Sequence, residues 1–250
     1  MSVDVHAFPG PRSLPWETDF LGVNVGTLQA GPAVTADTLQ AVLRSDEARA
    51  FDLLVVAHVG DSARLRPILE DAGARLVDTK LDYRAPVEAP APVAQEIERI
   101  AEAANAADRA ALEALALESG RFSRFRLDPR IGEARWEELY RLWIRNSLAG
   151  RMADAVFVWR RDDAITGFVT VKREASNRAR IGLIGVDAAE RGAGVGTELV
   201  AAARRWAAGE KLNDLWVATQ RANRAACLFY TSRGFTLTSE TDIYHLWTRR

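Results

Sequence analysis

The chain has 250 residues, enough for one large domain or two small ones, and 48% of them are hydrophobic, ample for a packed core. A formal net charge of -1 gives no global attraction to nucleic acid or to an acidic membrane surface. The single cysteine, Cys227, excludes an intramolecular disulfide and a cysteine-rich metal site, and among Ala225, Ala226, Leu228 and Phe229 it reads as small apolar filler. The first residues lack a basic stretch followed by an apolar core, and no apolar run reaches membrane-spanning length. No membrane association and a cytoplasmic location are therefore the expectation.

The first part reads as a small β-α-β-α-β unit. Gly22–Leu28 suits a strand, Thr38–Asp46 has helical spacing, and Phe51–Ala57 (FDLLVVA) reads as a buried strand. Ala63–Ala72 is a second short helix with Gly73 as its C-cap, and Arg75–Tyr83 alternates as a strand does. Pro86, Pro90 and Pro92 then crowd a short stretch that can sustain neither a helix nor a central strand. This places a small α/β domain at 1–84, a Pro/Ala-rich linker at 85–93 and a second domain at 94–250.

In the second part, Gln95–Glu102 fits a helix start or a first strand. Asn105 can cap a helix running to Ser119, and Glu133–Ser147 is strongly amphipathic. Ala155–Trp159 and Ile165–Lys172 read as strands joined by a tight turn at Arg161–Ala164, and Ala179–Val186 continues the antiparallel run. A glycine-rich turn, a helix at Glu198–Ala208, a strand at Asp214–Thr219, a helix at Arg224–Ser232 and a strand near Ile243–Trp247 complete the chain.

The segment from Arg180 to Thr197 carries the chemistry. A short apolar strand leads through Asp187–Glu190 into Arg191-Gly192-Ala193-Gly194-Val195-Gly196-Thr197. Gly192, Gly194 and Gly196 remove Cβ atoms, so successive amides can converge on phosphate oxygens at a helix start, with Arg191 adding charge at the rim. GAGVG also resembles a dinucleotide fingerprint, but its third glycine comes one residue early and Asp214 precedes the next strand instead of ending it. Antiparallel strands precede the turn, where a dinucleotide fold needs a parallel crossover. His6, His58 and His245 are scattered, and no Ser/His/Asp or metal-ligand spacing is present.

Downstream lies Asn223–Phe235, NRAACLFYTSRGF. A glycine turn followed by Asn, then Phe-Tyr, then Gly-Phe resembles the Gcn5-related N-acetyltransferase (GNAT) superfamily. The resemblance implies an α/β (α+β) fold whose mixed, mostly antiparallel central sheet is splayed between its fourth and fifth strands. Acetyl-coenzyme A is the implied cosubstrate, with no metal. Its pyrophosphate would sit on residues 191–197. Its amide arm would enter between Leu183, Ile184, Gly185 and Val186 on one strand and Leu215–Thr219 on the other, bonding an exposed strand edge. Gly185 could permit a bulge that frees an amide toward the thioester, and a backbone amide at 183–186 would stabilise the oxyanion. Asn223 suits a helix cap, a contact to the arm, or both. Tyr230 falls on the tyrosine that protonates the leaving thiolate.

Further segments resemble one branch of the superfamily, the TDP-fucosamine (dTDP-4-amino-4,6-dideoxy-D-galactose) acetyltransferases. They are PWETDFLGVNVG from Pro15, ARLVDTKLDY, SRFRLDPR from Ser123, LYRLWIRNSLAG from Leu139, ARIGLIGV, VATQRAN from Val217 and YHLW at Tyr244. The branch implies transfer to the 4-amino group of a dTDP-linked sugar, a substrate-side N-terminal domain and a homodimer. Asp78 falls where some members carry a glutamate near the reacting amine. This shorter carboxylate is the expected base, or it orients the amine or a water. Arg124 is the expected contact to the sugar-nucleotide diphosphate, its plainer alternative being a solvated loop arginine. Phe122 and Phe125 are expected to pack under the same loop. Other acceptors (a peptide N-terminus, a polyamine, an aminoglycoside) or a coenzyme-binding sensor without turnover are the competing readings. The basic run Arg121–Arg130, opposed by Asp128 alone, favours a phosphate-bearing acceptor.

Overall fold

Apolar side chains alternate along most of the strands, and the strands pair into one ten-stranded sheet among the described residues. The computed structural model describes residues 10–59, 62–87, 97–101, 105–175 and 177–249. In chain order the elements are β1 (Arg12–Ser13), α1 (Pro15–Leu21), β2 (Val25–Ala30), α2 (Ala36–Arg44), α3 (Asp46–Arg49), β3 (Leu53–Val59), α4 (Ser62–Asp71), β4 (Arg75–Pro86), β5 (Glu98–Ile100) and α5 (Ala106–Ser119). They continue as α6 (Arg124–Leu127), α7 (Glu133–Leu148), β6 (Ala155–Arg161), β7 (Ala164–Ala175), β8 (Arg178–Val186), a 3-10 turn at Ala188–Glu190, α8 (Val195–Gly209), β9 (Asp214–Gln220), α9 (Arg224–Ser232) and β10 (Thr236–Trp247).

Local chemistry sets several of these boundaries. Asn105 caps α5, its side chain accepting from the Asp108 amide at 2.9 Å. The β6–β7 hairpin turns through Asp162 and Asp163, both at positive φ, which matches the twist of the paired strands. The ambiguous stretch near residue 98 is a strand, β5, held at the sheet edge by β6. The short helices α1 and α6 were not expected from periodicity, since neither is long enough to show one.

The sheet order is β1-β2-β3-β10-β4-β9-β8-β7-β6-β5, antiparallel except at β2–β3 and β8–β9. Strand β4, from the first part, thus lies between two strands of the second. Arg84, Ala85 and Pro86 still pair with Trp216, Leu215 and Asp214, so the division expected at 84/85 falls inside a paired strand. Pro86 lies beyond the last β10 partner of β4, on a stretch with one open side, where its missing N–H is tolerated. The rest of the expected linker, from residue 88, lies outside the described residues.

Helices α8 and α9 cover one face of the sheet, burying Leu81, Val171, Ile181, Leu199 and Val217. Helix α5, with Ile144 of α7, covers the other face at β6–β8, over Val156, Val158 and Phe168. The bulge expected at Gly185 is found instead at Gly182–Leu183, where β8 carries one extra residue between Ile181 and Ile184. The Thr170 hydroxyl fills the gap and accepts from the Leu183 amide at 2.8 Å. Gly185 pairs regularly with Phe168, and its role is to let α5 approach. A Cβ there would lie 2.8 Å from the Leu115 carbonyl oxygen and 2.9 Å from the Phe168 ring. Gly185→Ala should therefore destabilise the fold by about 1–3 kcal/mol through overpacking, read as a lower urea midpoint with an unchanged slope.

Candidate active site

Two neighbouring parallel strands part company. β8 and β9 pair from Arg178/Asp214 to Ile181/Val217 and no further, although both continue. The remaining residues, Gly182–Val186 and Ala218–Gln220, line the walls of an open wedge. The amides of Leu183 and Asp187 point at β7, bonding Thr170 Oγ1 and Thr166 O, both at 2.8 Å. Alternation along a strand then turns the polar groups of Ile184 and Val186 toward the wedge. Of the four residues expected at the arm, these two offer backbone donors and acceptors, whereas Leu183 and Gly185 are committed to β7.

The wedge opens onto the glycine turn. Gly192 (φ +84°) and Gly194 (φ +89°) adopt left-handed backbone, and Gly194 is the N-cap of α8 without a side-chain cap. The amides of Gly192, Gly194, Val195 and Gly196 have no protein acceptor among the described residues. Those of Ala193 and Thr197 bond back to Glu190 and Gly194. Free amides at a helix start are what an anionic group needs. Arg191 is less free than the sequence suggests. It donates to Glu118 Oε1 at 2.9 Å and to the Val186 carbonyl at 3.3 Å. Burial would raise the Glu118 carboxyl, but Arg191 and Arg121 outweigh it and hold it below the usual range.

Across the wedge, Asn223 caps α9, its side chain accepting from the Ala226 amide at 3.2 Å. Tyr230, in the last turns of the same helix, is 3% exposed and ringed by Tyr83, Phe229 and Phe235. Burial, reinforced by Cys227, pushes its hydroxyl far above the ordinary phenol range. No protein hydrogen bond reaches this hydroxyl among the described residues, and the ring lines the cavity.

That cavity, about 1010 Å³, runs on from the wedge into a chamber floored by β4 and β10 and walled by Phe122, Phe125, Tyr140 and Trp143. Asp78 reaches it because of a second bulge. Between Leu76/Tyr244 and Asp78/Ile243, β4 has one residue too many, so Val77 and Asp78 both lie opposite Ile243. Burial lifts the Asp78 carboxyl to about 7, against the pull of Arg124, the Thr79 amide and Lys80. Burial likewise pushes the Tyr140 hydroxyl up to about 12.

Arg124 lines the same chamber but is not a solvated loop arginine. It donates to Glu17 Oε1 at 2.6 Å and to His245 Nε2 at 3.1 Å, and its guanidinium lies 4.1 Å from the Phe125 ring centroid. The opposite nitrogen, His245 Nδ1, meets Asp128 Oδ2 at 2.6 Å, and Trp247 Nε1 donates to the same oxygen at 2.8 Å. Sequence reading saw His245 as unplaced and missed this array. Its hydrogen-bonded partners stand 107 to 121 residues apart, and nothing local announces the pairing. Among the described residues, no three His, Cys, Asp or Glu side chains are grouped as a metal ion would require. No described helix is long and apolar enough to cross a membrane.

A sheet parted between its fourth and fifth strands, counted from β5, with a glycine turn at the mouth, defines an acyl-coenzyme A-dependent acetyltransferase. Residues 111–235 match the model of the acetyltransferase (GNAT) family, and the chain belongs to that family. It is an N-acetyltransferase. It is 30% identical over 242 residues, 94% of this chain and 96% of the relative, to a dTDP-fucosamine acetyltransferase of Escherichia coli O6:H1 (strain CFT073). Its fold is similar to that of a functionally unknown protein from Staphylococcus epidermidis ATCC 12228, with a TM-score of 0.65, 11% identity, and coverage of 90% of this chain and 84% of the other. A GCN5-related N-acetyltransferase from Sphaerobacter thermophilus gives a TM-score of 0.59 at 17% identity, covering 96% and 76%.

The Asp78 carboxyl makes a prediction about stability. An acid whose pKa is raised by folding holds its proton more tightly folded than unfolded. Its ionisation therefore subtracts stability as pH climbs from the ordinary carboxylate range through about 7. Asp78→Asn should be more stable than the parent at pH 8 by on the order of 1 kcal/mol, with the gap closing near pH 4. Thermal unfolding of both proteins at the two pH values measures it, and equal midpoints at pH 8 would contradict it.

Proposed function

We propose that this protein transfers acetyl from acetyl-coenzyme A directly to the 4-amino group of a dTDP-linked amino-dideoxy sugar. The observation that carries the reading is one continuous cavity. It joins the free amides of Gly192, Gly194 and Gly196, the Tyr230 ring and the Asp78 carboxyl. Residues 191–197 would hold the pyrophosphate, and Ile184 and Val186 the amide arm. The Ile184 amide would face the developing oxyanion, with Asn223 closing the far wall. Asp78 would take the proton of the attacking amine, for which a carboxyl near 7 is well matched to neutral pH. Tyr230, which burial keeps protonated, would give its proton to the departing thiolate.

The acceptor class is supported by the relative's activity over nearly the whole chain. Charge at the cavity supports it too. Lys80, Arg121 and Arg224 line it, and Arg224 makes no ion pair among the described residues. Asp78, Glu118 and Glu190 line it as well, but the cations outnumber them, and cations at a cavity wall suit a diphosphate. Arg124 sits deeper and is committed to Glu17 and His245, and Lys80 and Arg121 are paired with Asp82 and Glu118 at 2.9 and 2.8 Å, so the diphosphate contact falls first to Arg224.

A thiol-release assay with acetyl-coenzyme A and a panel of amines tests the reading. Turnover on dTDP-4-amino-dideoxy sugars is expected. Turnover confined to peptides, polyamines or aminoglycosides would replace the acceptor, and coenzyme binding without turnover would indicate a sensor. Tyr230→Phe should lower kcat by roughly 10²–10⁴ and leave the Kd for acetyl-coenzyme A, measured by calorimetry, nearly unchanged. Undiminished kcat would remove Tyr230 as the acid.

A further inference from the structure

Beside the chamber lies a buried polar chain that the transfer itself does not use. Both Asp128 oxygens are occupied, Oδ2 by His245 and Trp247 and Oδ1 by the Arg130 amide at 2.9 Å. His245 is 1% exposed and sits on β10 two residues beyond Ile243, on the same face of the sheet. An arginine N–H can only donate, so Nε2 of His245 must accept, and the ring proton resides on Nδ1, facing Asp128. The ring is neutral. Burial is the main force depressing its pKa, Arg124 adds to that, and Asp128 opposes it. Glu17, from α1, holds the second arm of the guanidinium. Arg124 is thereby fixed by two elements on either side of α6. Its charge acts on Asp78, of which it is the strongest electrostatic opponent of desolvation.

We infer that His245, anchored on Asp128, holds the Arg124 guanidinium at the wall of the chamber it shares with Asp78 and is thus a positioning residue for the carboxylate that takes the acceptor's proton. The inference rests on the proposed role of Asp78. The neutral, Nδ1-protonated ring is the form that accepts from Arg124, and its depressed pKa preserves that form as the medium becomes mildly acidic. The other charged and titratable groups that bear on Asp78 are Lys80 on its own strand, Asp242 on β10 and Tyr140 on α7. Lys80 is tied to Asp82 at 2.9 Å, and Asp242 accepts from Thr79 Oγ1 at 2.7 Å. None of the three is hydrogen-bonded to His245 among the described residues, so a change in its bonds reaches Asp78 through Arg124.

Two substitutions split the histidine's bonds. In His245→Asn the amide reaches Asp128 but not Arg124. In His245→Gln it reaches Arg124. Carbon-detected NMR titration of the full chain, with the Asp78 carboxyl assigned by its absence in Asp78→Asn, reads the result. The Asp78 midpoint should rise by about one pH unit in His245→Asn and stay within a few tenths of the parent in His245→Gln. Equal midpoints in all three proteins, or equal displacement in both variants, would overturn the inference. The parent supplies a test that needs no variant, because the ring nitrogen shifts should report a neutral, Nδ1-protonated His245 at pH 7. An Nε2-protonated ring could not accept from Arg124 and would overturn it outright. The acidic limb of kcat/KM should follow the Asp78 midpoint upward in His245→Asn. A midpoint that moves while the limb stays would remove Asp78 as the base and leave His245 as the holder of Arg124, so the two readings fail separately.

Discussion

The structure depends on the parting of β8 from β9. A parallel pair buried on both faces would ordinarily keep its ladder to the end, because unpaired backbone groups away from water are expensive. Here the ladder stops at Ile181/Val217, and two strands run on with polar edges facing a gap. Water or an extended amide-bearing ligand can satisfy those edges, and the ligand does so with directional bonds. The bulge at Gly182–Leu183 helps set the split. The extra residue bends β8, while the Thr170 hydroxyl absorbs the Leu183 amide that the bulge would otherwise strand.

The second constraint is the place of β4. It is the strand that pairs with β9 on the side away from the wedge, and it forms the floor on which the acceptor chamber stands. The first part of the chain is therefore structurally committed to the catalytic half. Its Asp78 faces the cavity only because the Val77–Asp78 bulge turns two consecutive residues to one face. A regular β4 would direct one of the pair to the opposite side of the sheet. The helix that carries Glu17 and the strand that carries Asp78 flank Arg124, so the chamber is assembled from elements distant in sequence.

What was legible in the sequence was what is encoded locally. The glycine turn, the strand before it, the Asn105 and Asn223 caps and the tyrosine on α9 each follow from neighbours within a few residues. Their positions agree with the elements found. The insertion of β4 was not legible, because strand order is set by long-range pairing and β4 reads as an ordinary alternating strand in either arrangement. The bulge was looked for at Gly185 because glycine permits one, yet Gly185 serves the approach of α5, and the extra residue lies three positions earlier. Arg124 reads as a phosphate contact, because an arginine fork suits phosphate oxygens, or as a solvated loop arginine. Its Glu17 and His245 partners come from opposite ends of the chain.

Burial acts on both proposed proton-transfer groups in the same direction and gives opposite chemical results. It raises the Tyr230 hydroxyl beyond any physiological pH, which leaves a neutral donor beside the wedge. It raises the Asp78 carboxyl too, and unopposed that would leave a protonated acid unable to accept from an amine. Arg124, with the Thr79 amide and Lys80, limits the rise to about 7, where ionised and protonated forms coexist at neutral pH. The guanidinium can do so only while it stays put, and an arginine bordering a wide cavity has many rotamers to lose. Glu17, His245 and Asp128 remove that freedom before any substrate arrives. The proposed acid and base then differ by their intrinsic acidity, phenol against carboxyl, and burial sets where each falls relative to neutral pH.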